Sequence, residues 1–494
     1  MSRLPRDGLV WDESGWALEP KWASEPSIEA IQATCRRVLQ LDASYDCSVS
    51  FKTEGAFNKV YVVEGNCERR WIFRVALPVD PQKKTAGEAA TLCWLERHSD
   101  IPAPKVIAFD DSSDNEIGYE WILMEMMPGV TAHHRWRGMS WEAKTTFVEK
   151  IAEYQAQLFN NTQFRTIGTL KDVSLEDDAK LEPGQLVDGM FFMGKRYDVD
   201  VPRGPFRCSY DWLKSYITVI IEDQKRVVKE LSNSDSDSDS SSNSSSSDSS
   251  SSSDSSSSDS SSSSDNSSDS DSSSDSDSGS SSDDSSDSSD SDAAEKAHAE
   301  YSIEVAELLS DLLPDIFPKT LNPPEPTVLL HDDLNLNNIL VDDDGAITAI
   351  IDWECASAVP LWNTTRMPQF LRGRDREELP DPNGYMAADE EMEAARRIRD
   401  GDYYLESEGK NILYWEHLME YEQTKLRKVY TTRLSQLCPV WGREVTESGM
   451  KMDFYQAIYQ CTVGWRLLTI DDWVGGIWEG DFFTMAEVME QSRT

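Results

Sequence analysis

Short apolar runs of strand length dominate the first third of the chain, and apolar positions at helical spacing follow from Trp141 onwards. Short alternating or continuous apolar runs predict strands, whereas repeats at every third and fourth position predict helices. These elements predict a small sheet around a single helix. The predicted strands are residues 48–53, 59–64, 70–77 and 119–127, and the predicted helix is residues 85–97.

The remainder of the chain is mostly helical in pattern. Ser140 is a typical N-cap residue, and it precedes a run whose apolar positions repeat at helical spacing. Further helices are predicted at residues 210–231 and 293–316, and amphipathic stretches occupy residues 385–437. We therefore expect an α+β fold with a strand-rich first lobe and a mostly helical second lobe. The expected domains are an N-terminal extension at 1–47, the first lobe at 48–128, and the second lobe at 129–232 and 293–494.

Residues 233–292 interrupt the second lobe, because they are almost wholly Ser and Asp. This Ser/Asp tract holds 16 Asp and no Lys, Arg or Glu. It cannot bury apolar surface and its carboxylates repel one another, so we expect it to be disordered. Two functional interpretations are a substrate for acidophilic protein kinases and a polyanion that binds a partner. We favour a third interpretation, a neutral low-complexity expansion.

The rest of the chain is acidic as well, because the tract leaves 27 of the 43 net negative charges on the other 434 residues. An acidic protein has little electrostatic reason to bind nucleic acid or an anionic membrane surface, whereas a cationic substrate is favoured. No run of 18 apolar residues predicts a membrane span. The eight cysteines include no C-x-x-C pair, so we expect reduced thiols and a cytoplasmic or nuclear location.

The strongest candidate for chemistry is the sequence HDDLNLNNIL at 331–340, followed by IDWE at 351–354. Asp333 and Asn338 stand on a predicted loop between two apolar, strand-like runs. An Asp-rich turn then joins two such runs, so a hairpin should bring Asp352 back beside Asn338. Phosphoryl transfer needs one carboxylate to orient the attacking hydroxyl, and a second carboxylate and an amide to hold magnesium. The spacing supplies all three groups.

This pattern resembles that of the aminoglycoside phosphotransferase and choline kinase family, including its fungal members, which carry H-x-D-L-x-x-x-N-I-L followed by I-D-W/F-E. The resemblance implies a bilobal protein-kinase-like fold, ATP and Mg²⁺ as cofactors, and a hydroxyl of a small molecule as acceptor. It implies that Asp333 orients the hydroxyl and accepts its proton, and that Asn338 and Asp352 hold magnesium. His331 is expected to hold the loop by hydrogen bonds.

The resemblance also assigns nucleotide-binding residues to the first lobe. Arg74 on the third strand and Glu88 in the helix match the cation and carboxylate that clamp the phosphates in kinase-like folds. Asn58 ends the turn that should cover the phosphates. Glu125 and Met126 lie in the segment that should form the hinge and bind adenine.

Two alternatives to a small-molecule kinase are kept. A pseudokinase scaffold would bind nucleotide and partners without turnover, and the presence of one Gly in the phosphate turn, where protein kinases have three, supports it. A protein kinase is disfavoured, because Asp332 replaces the usual Arg, D-W-E replaces D-F-G and no A-P-E follows. Three acids, Glu354, Asp471 and Asp472, are candidates for an acceptor pocket.

Overall fold

The chain begins with a β-hairpin and a helix that precede the main sheet. In the computed structural model these are β1 (Leu9–Asp12), β2 (Glu19–Trp22) and α1 (Ile28–Val38). Ser27 caps α1, since its side chain accepts a hydrogen bond from the backbone N–H of Ala30. The structure describes residues 3–491 apart from 15–17, 43, 67–68, 162–163, 172–180, 239–286, 320–323 and 482.

Five antiparallel strands form the sheet of the first lobe. The elements are β3 (Cys47–Glu54), β4 (Asn58–Gly65), β5 (Arg70–Ala76), α2 (Lys83–His98), β6 (Val106–Asp110) and β7 (Glu120–Glu125). The strand order is β3-β4-β5-β7-β6. Four strands and the helix were predicted with boundaries close to those observed. Strand β6 was not predicted, because it follows Pro102 and Pro104, which indicated only extended backbone.

Two small sheets begin the second lobe. Their strands are β8 (Val130–Thr131), β9 (Gly168–Lys171), β10 (Glu182–Pro183), β11 (Thr327–Leu330), β12 (Ile339–Val341), β13 (Ile347–Ile350) and β14 (Ser357–Pro360). One sheet has the order β10-β9-β14-β11 and the other β13-β12-β8. The chain passes from β11 in the first of these sheets to β12 in the second, so the predicted catalytic loop is anchored in a sheet at each end.

Helices make up most of the second lobe. They are α3 (Ala132–Arg135), α4 (Trp141–Asn160), α5 (Gly189–Phe192), α6 (Ser209–Ser238), α7 (Asp287–Ile316), α8 (Glu390–Asp400), α9 (Ile412–Leu437), α10 (Pro439–Glu447), α11 (Gly449–Gln460), α12 (Gly464–Glu479) and α13 (Met485–Gln491). The predicted cap of α4 is confirmed, because Ser140 Oγ accepts from the N–H of Ala143 at 3.1 Å. The α+β fold class is likewise confirmed.

Two helix boundaries differ from the prediction. The pattern over 385–437 is divided into α8 and α9, because Gly401 takes a φ of 49° at the end of α8 and Asn411 caps α9. Helices α6 and α7 also extend into both ends of the predicted Ser/Asp tract, as expected when a long helix propagates one residue at a time. The rest of the tract, 239–286, lies outside the described residues.

The sheet of the first lobe has a core of its own, and a larger core is shared by helix α2 and the second lobe. In the first lobe, α1 packs on one face of the sheet around Phe73, Val75 and Leu123, which are fully buried. Helices α4 and α9 contribute to this larger core, to which Trp353 also belongs. No helix in the described part of the chain is long and apolar enough to cross a membrane, and its seven cysteines are all free thiols.

Candidate active site

The loop between β11 and β12 holds Asp333 from two sides. The side-chain amide of Asn338 donates to Asp333 Oδ2 at 2.9 Å and to its backbone oxygen at 2.9 Å. The amide of Asn335 donates to Asp333 Oδ1 at 2.9 Å. Asp333 nevertheless remains exposed. A carboxylate that is both oriented and open to solvent can meet a substrate without first reorganising.

His331 contacts the segment that follows β13 and so holds one end of this loop. The buried imidazole lies 3.0 Å from the backbone oxygen of Ile351 through Nε2. Its ring centroid lies 4.6 Å from the ring of Trp353. These contacts are to a backbone oxygen and a buried ring, as expected for a residue that holds the loop.

The hairpin of β12 and β13 brings Asp352 to Asn338, as predicted. Ile339 pairs with Ile350 across the hairpin, and the N–H of Ile351 donates to the backbone oxygen of Asn338 at 2.9 Å. Asp352 has a φ of 63°, in the left-handed region that a residue with a Cβ seldom adopts. Strain of this kind persists only where the surroundings hold it in place.

Arg74 lies buried among three carboxylates. Its Nη1 donates to Glu88 Oε1 at 2.5 Å. Its Nη2 lies 2.6 Å from Glu354 Oε2 and 3.0 Å from Asp352 Oδ1. Nη2 is buried and forms an ion pair with each of these two carboxylates. The predicted pair of Arg74 and Glu88 is therefore present, and the same guanidinium also reaches Asp352 of the second lobe.

Lys84 is a second buried cation that the sequence did not reveal. Its Nζ lies 2.5 Å from Glu354 Oε2 and donates to Asn58 Oδ1 at 3.0 Å. The amide of Asn58 donates to the same Glu354 oxygen at 2.7 Å. The signal that could have found Lys84 is its spacing, since it lies one helical turn before Glu88 on the same face of α2.

The pKa values of the three acids follow from these surroundings. Burial raises the pKa of Glu88 to about 7, against the opposing effect of Arg74. Burial, together with the charge of Glu354, raises the pKa of Asp352. Burial would also raise the pKa of Glu354, but Lys84 and Arg74 outweigh it and hold that pKa at about 2. Three acids thus face two cations, and a further cation beside Asp352 would be electrostatically favourable.

The other residues predicted to bind nucleotide are Asn58, Glu125 and Met126, and their hydrogen-bond partners differ. Asn58 begins β4, and its side chain binds Lys84 and Glu354 rather than extending from an open turn. Glu125 ends β7, and its N–H already donates to the backbone oxygen of Lys105 at 2.9 Å. Met126 follows as the first residue beyond the strand. Among the hinge residues, Met126 is therefore the better candidate for an adenine contact through its N–H.

A chain of polar contacts extends from the catalytic loop towards α11. Arg366 Nη2 lies 2.8 Å from Asp332 Oδ1, and its guanidinium lies 5.3 Å from the ring centroid of Tyr455. The hydroxyl of Tyr455 donates to that of Tyr459 at 3.2 Å. Tyr459 in turn donates to Asp188 at 3.2 Å. The loop next to Asp333 is thus bordered by tyrosines and a carboxylate.

Asp188 is the acid at the end of this chain, and the sequence did not reveal it. It caps α5 by accepting from the N–H of Met190 at 2.7 Å. Among the described residues, no Lys or Arg side chain forms an ion pair with it. Burial raises its pKa, with a contribution from Asp332. Of the acids predicted for an acceptor pocket, Glu354 belongs to the buried cluster, and Asp471 accepts from Tyr301 on α7 at 2.9 Å.

Comparison with known proteins bears on the same residues. Residues 49–174 and 282–363 match the model of the family described as "Phosphotransferase enzyme family". A subtelomeric hrmA-associated cluster protein of Aspergillus fumigatus is 28% identical over 178 residues, which cover 34% of this chain and 35% of the relative. The "Altered inheritance of mitochondria protein 9, mitochondrial" of Candida tropicalis is 27% identical over 133 residues, covering 25% of this chain and 21% of the relative.

The chain thus spans about a third or less of the length of these curated relatives. Among solved structures, an ADP-bound aminoglycoside phosphotransferase superposes with a TM-score of 0.37 at 10% identity, covering 93% of this chain and 96% of that one. The matched family segments contain Arg74, Glu88, the loop with Asp333 and Asn338, and Asp352. Through residues 49–174 and 282–363, the chain resembles the phosphotransferase enzyme family.

Proposed function

We propose that the protein is an ATP- and Mg²⁺-dependent phosphotransferase that phosphorylates a hydroxyl group of a small molecule. The observation that supports this most is the convergence of an oriented, exposed Asp333 with Asn338 and Asp352. Arg74 meets Asp352 from the opposite lobe. Phosphoryl transfer is mainly a matter of positioning and charge neutralisation, and these groups are suited to both tasks.

Asp333 is the residue that would orient the acceptor hydroxyl and take its proton. Its carboxylate is fixed by two amides and has no cation within ion-pair distance among the described residues. A general base must lie within hydrogen-bond reach of the proton that it accepts. An exposed carboxylate on a fixed loop satisfies that requirement for a small molecule entering from solvent.

Asn338 and Asp352 are the residues that would hold Mg²⁺. Asn338 uses its amide nitrogen on Asp333, and no described donor reaches its side-chain oxygen. Asp352 keeps a third of its side chain exposed and has one cationic neighbour, Arg74. Oxygen ligands of this kind suit Mg²⁺. The bound ion supplies charge neutralisation for the phosphates.

Arg74 is the residue that would bind the phosphates. Its Nη2 lies 3.0 Å from Asp352, beside the groups proposed to hold Mg²⁺. A phosphate oxygen could accept a hydrogen bond from this guanidinium, which is well suited to phosphate. Glu88 keeps the guanidinium in place through Nη1.

The acceptor that we propose carries an ammonium group as well as a hydroxyl. Asp188 supports this, since it has no ion-pair partner among the described residues and accepts a hydrogen bond from Tyr459, whose hydroxyl contacts that of Tyr455. A carboxylate next to aromatic rings is a favourable site for an organic cation. The cytoplasmic location remains a prediction from the sequence, and the mitochondrial name of one relative is the competing hypothesis.

The test is titration calorimetry with ATP, with and without Mg²⁺, followed by ATP turnover against amino alcohols, sugars and aminoglycosides. We expect Mg²⁺-dependent binding and turnover stimulated by an amino alcohol. Asp333→Ala should lower turnover by about 10²–10⁴-fold while sparing nucleotide binding. Asp352→Ala should weaken binding of Mg-ATP. Asp343→Ala, on the exposed hairpin turn, is the matched control and should leave both unchanged.

Equal loss of nucleotide binding in Asp333→Ala and Asp352→Ala would contradict the separate roles. Nucleotide binding without turnover against any acceptor would favour the pseudokinase scaffold, which the single Gly of the phosphate turn supports. Absence of nucleotide binding in the wild-type protein would overturn the proposal.

A further inference from the structure

Glu354 lies at the meeting point of the two lobes. Its Oε2 receives Asn58 Nδ2 at 2.7 Å, Lys84 Nζ at 2.5 Å and Arg74 Nη2 at 2.6 Å. All three donors belong to the first lobe, whereas Glu354 lies in the turn after β13. The turn of the second lobe is therefore tied to the sheet and the helix of the first lobe through one oxygen atom.

The same contacts leave little room for a metal ion at Glu354. Oε2 already faces three nitrogen groups and has no lone pair left for coordination, so a metal ion could approach Glu354 only at Oε1. Two of those groups are cations, which repel a divalent ion at this distance. Asp352 differs, because it has one cationic neighbour at 3.0 Å and twice the exposed fraction of Glu354, 33% against 15%.

Lys84 and Asn58 close a triangle with Glu354. Lys84 is 2% exposed, and its Nζ reaches Asn58 Oδ1 at 3.0 Å as well as Glu354. Asn58 lies on β4 and Lys84 lies on α2. A buried charge without its partner is strongly unfavourable, so each member of the triangle keeps the others in place.

We infer that Glu354 is a positioning residue and not a metal ligand. Held by Lys84 and Asn58, it fixes the turn on which Asp352 stands two residues earlier. This inference rests on the proposed function, because it states how the turn is held for Mg-nucleotide. Groups that orient a metal ligand in this way are worth about 10–100-fold in metal affinity.

The test compares ADP binding in excess Mg²⁺ with ADP binding in EDTA for Lys84→Met. If Lys84 positions the turn, the variant should bind ADP about tenfold more weakly in Mg²⁺, with no change in EDTA. Lys84→Arg should restore most of the affinity. Lys59→Met is the matched control, since Lys59 is another buried lysine of the same lobe that is paired with Glu25 at 2.5 Å and forms no ion pair with Glu354.

A metal-ligand role for Glu354 gives the opposite result. Removal of Lys84 would then free the carboxylate, and Mg²⁺-dependent binding would stay the same or become tighter. A loss of equal size in Mg²⁺ and in EDTA would mean that Lys84 binds phosphate directly. Each of these outcomes would overturn the inference.

Hydrogen exchange in the absence of nucleotide provides a second measurement. Lys84→Met and Glu354→Gln should both accelerate amide exchange in residues 351–357, whereas Lys59→Met should not. If the wild-type protein fails to bind ADP but exchange is accelerated, the proposed function fails and the inference about the turn stands. If exchange is unchanged in both variants, the inference fails regardless of the result for ADP binding.

Discussion

Arg74 illustrates what a single side chain contributes at the site. Its guanidinium spans two sets of carboxylates, with Nη1 on Glu88 and Nη2 near Glu354 and Asp352. A lysine at this position would present one compact charge, which cannot reach both sets at once. The shape of the guanidinium is therefore as important as its charge.

We predict that Arg74→Lys weakens binding of Mg-ATP by about tenfold and lowers the free energy of unfolding by about 1–3 kcal/mol, since a hydrogen bond to a charged group is lost. Calorimetry and urea denaturation provide the two measurements. The matched control is Arg70→Lys on the same strand, where an exposed Arg pairs with Glu64 at 3.0 Å. Wild-type affinity in Arg74→Lys would exclude a role of the guanidinium fork in phosphate binding.

The sequence predicted some site residues and missed others for a physical reason. Arg74 and Glu88 are 14 positions apart on neighbouring elements, and their pattern could be read along the chain. Lys84 is marked locally only by its spacing from Glu88, and its partner Glu354 comes from a distant segment, as do the tyrosine partner and the neighbouring acid of Asp188. The roles of these residues become visible only once the lobes are packed together.

Glu116 provides a test of electrostatics away from the site. Hydrogen bonds from Arg37 and Thr34 lower its pKa to about 2, and they join α1 to the loop before β7. A lowered carboxylate pKa adds stability that is present above the usual value of 4.5 and is lost as the pH falls towards 2.

We therefore predict that the wild-type protein loses more stability than Glu116→Gln between pH 5.5 and pH 3.5. The difference should be on the order of 1 kcal/mol or less, because the ion pair is partly exposed and screened by solvent. Urea denaturation of both proteins at the two pH values measures it. Parallel losses in the two proteins would mean that these hydrogen bonds do not lower the pKa of Glu116.

At the scale of elements, the hairpin of β12 and β13 is the best-predicted part of the site. Its turn begins with Asp342, whose side chain accepts from the N–H groups of Asp344 and Ala346, and Gly345 has a φ of 85°. Such turn chemistry is local, so the sequence indicates it directly. The hairpin then fixes where Asp352 stands.

We predict that Gly345→Ala lowers the free energy of unfolding by about 1–2 kcal/mol, because a Cβ is unfavourable in the left-handed region. The added Cβ would lie 2.9 Å from Met139 Cε, the end of a flexible side chain that can move. Gly384→Ala is the control, since it has open space and no positive φ. Equal stability of the two variants would contradict the argument.

The N-terminal segment shows the limit of element prediction. Arg6 donates to the backbone oxygens of Phe192 and Gly194, both at 2.8 Å, and lies 4.3 Å from the ring centroid of Tyr197. These contacts join positions 186 and 188 residues apart in the chain. Residues 1–47 carried no pattern that pointed to the second lobe, so the sequence indicated only an extension.

At the scale of the whole molecule, helices α6 and α7 pack against each other on either side of residues 239–286. Because these two helices are in contact, the intervening segment forms a closed loop between them. The entropy of closing a loop grows only with the logarithm of its length. A long insertion at this position is therefore compatible with a stable fold.

We predict that replacing residues 239–286 with a 12-residue Gly/Ser linker raises the free energy of unfolding by about 1.2 kcal/mol, since the loop is shortened by two doublings. ADP binding should be unchanged. Urea denaturation and calorimetry of the shortened protein are the measurements. A change in ADP affinity beyond threefold would contradict the view that the tract is a neutral expansion.

The buried ionic cluster also joins residues that the ribosome makes far apart in time. Asn58 and Glu354 are 296 positions apart, so translation at roughly 5–20 residues per second separates them by about 15–60 s. During that interval Arg74 and Lys84 have only Glu88 among the cluster acids, and an uncompensated charge resists burial. The nascent first lobe must therefore keep its site open to water until the turn of the second lobe has emerged.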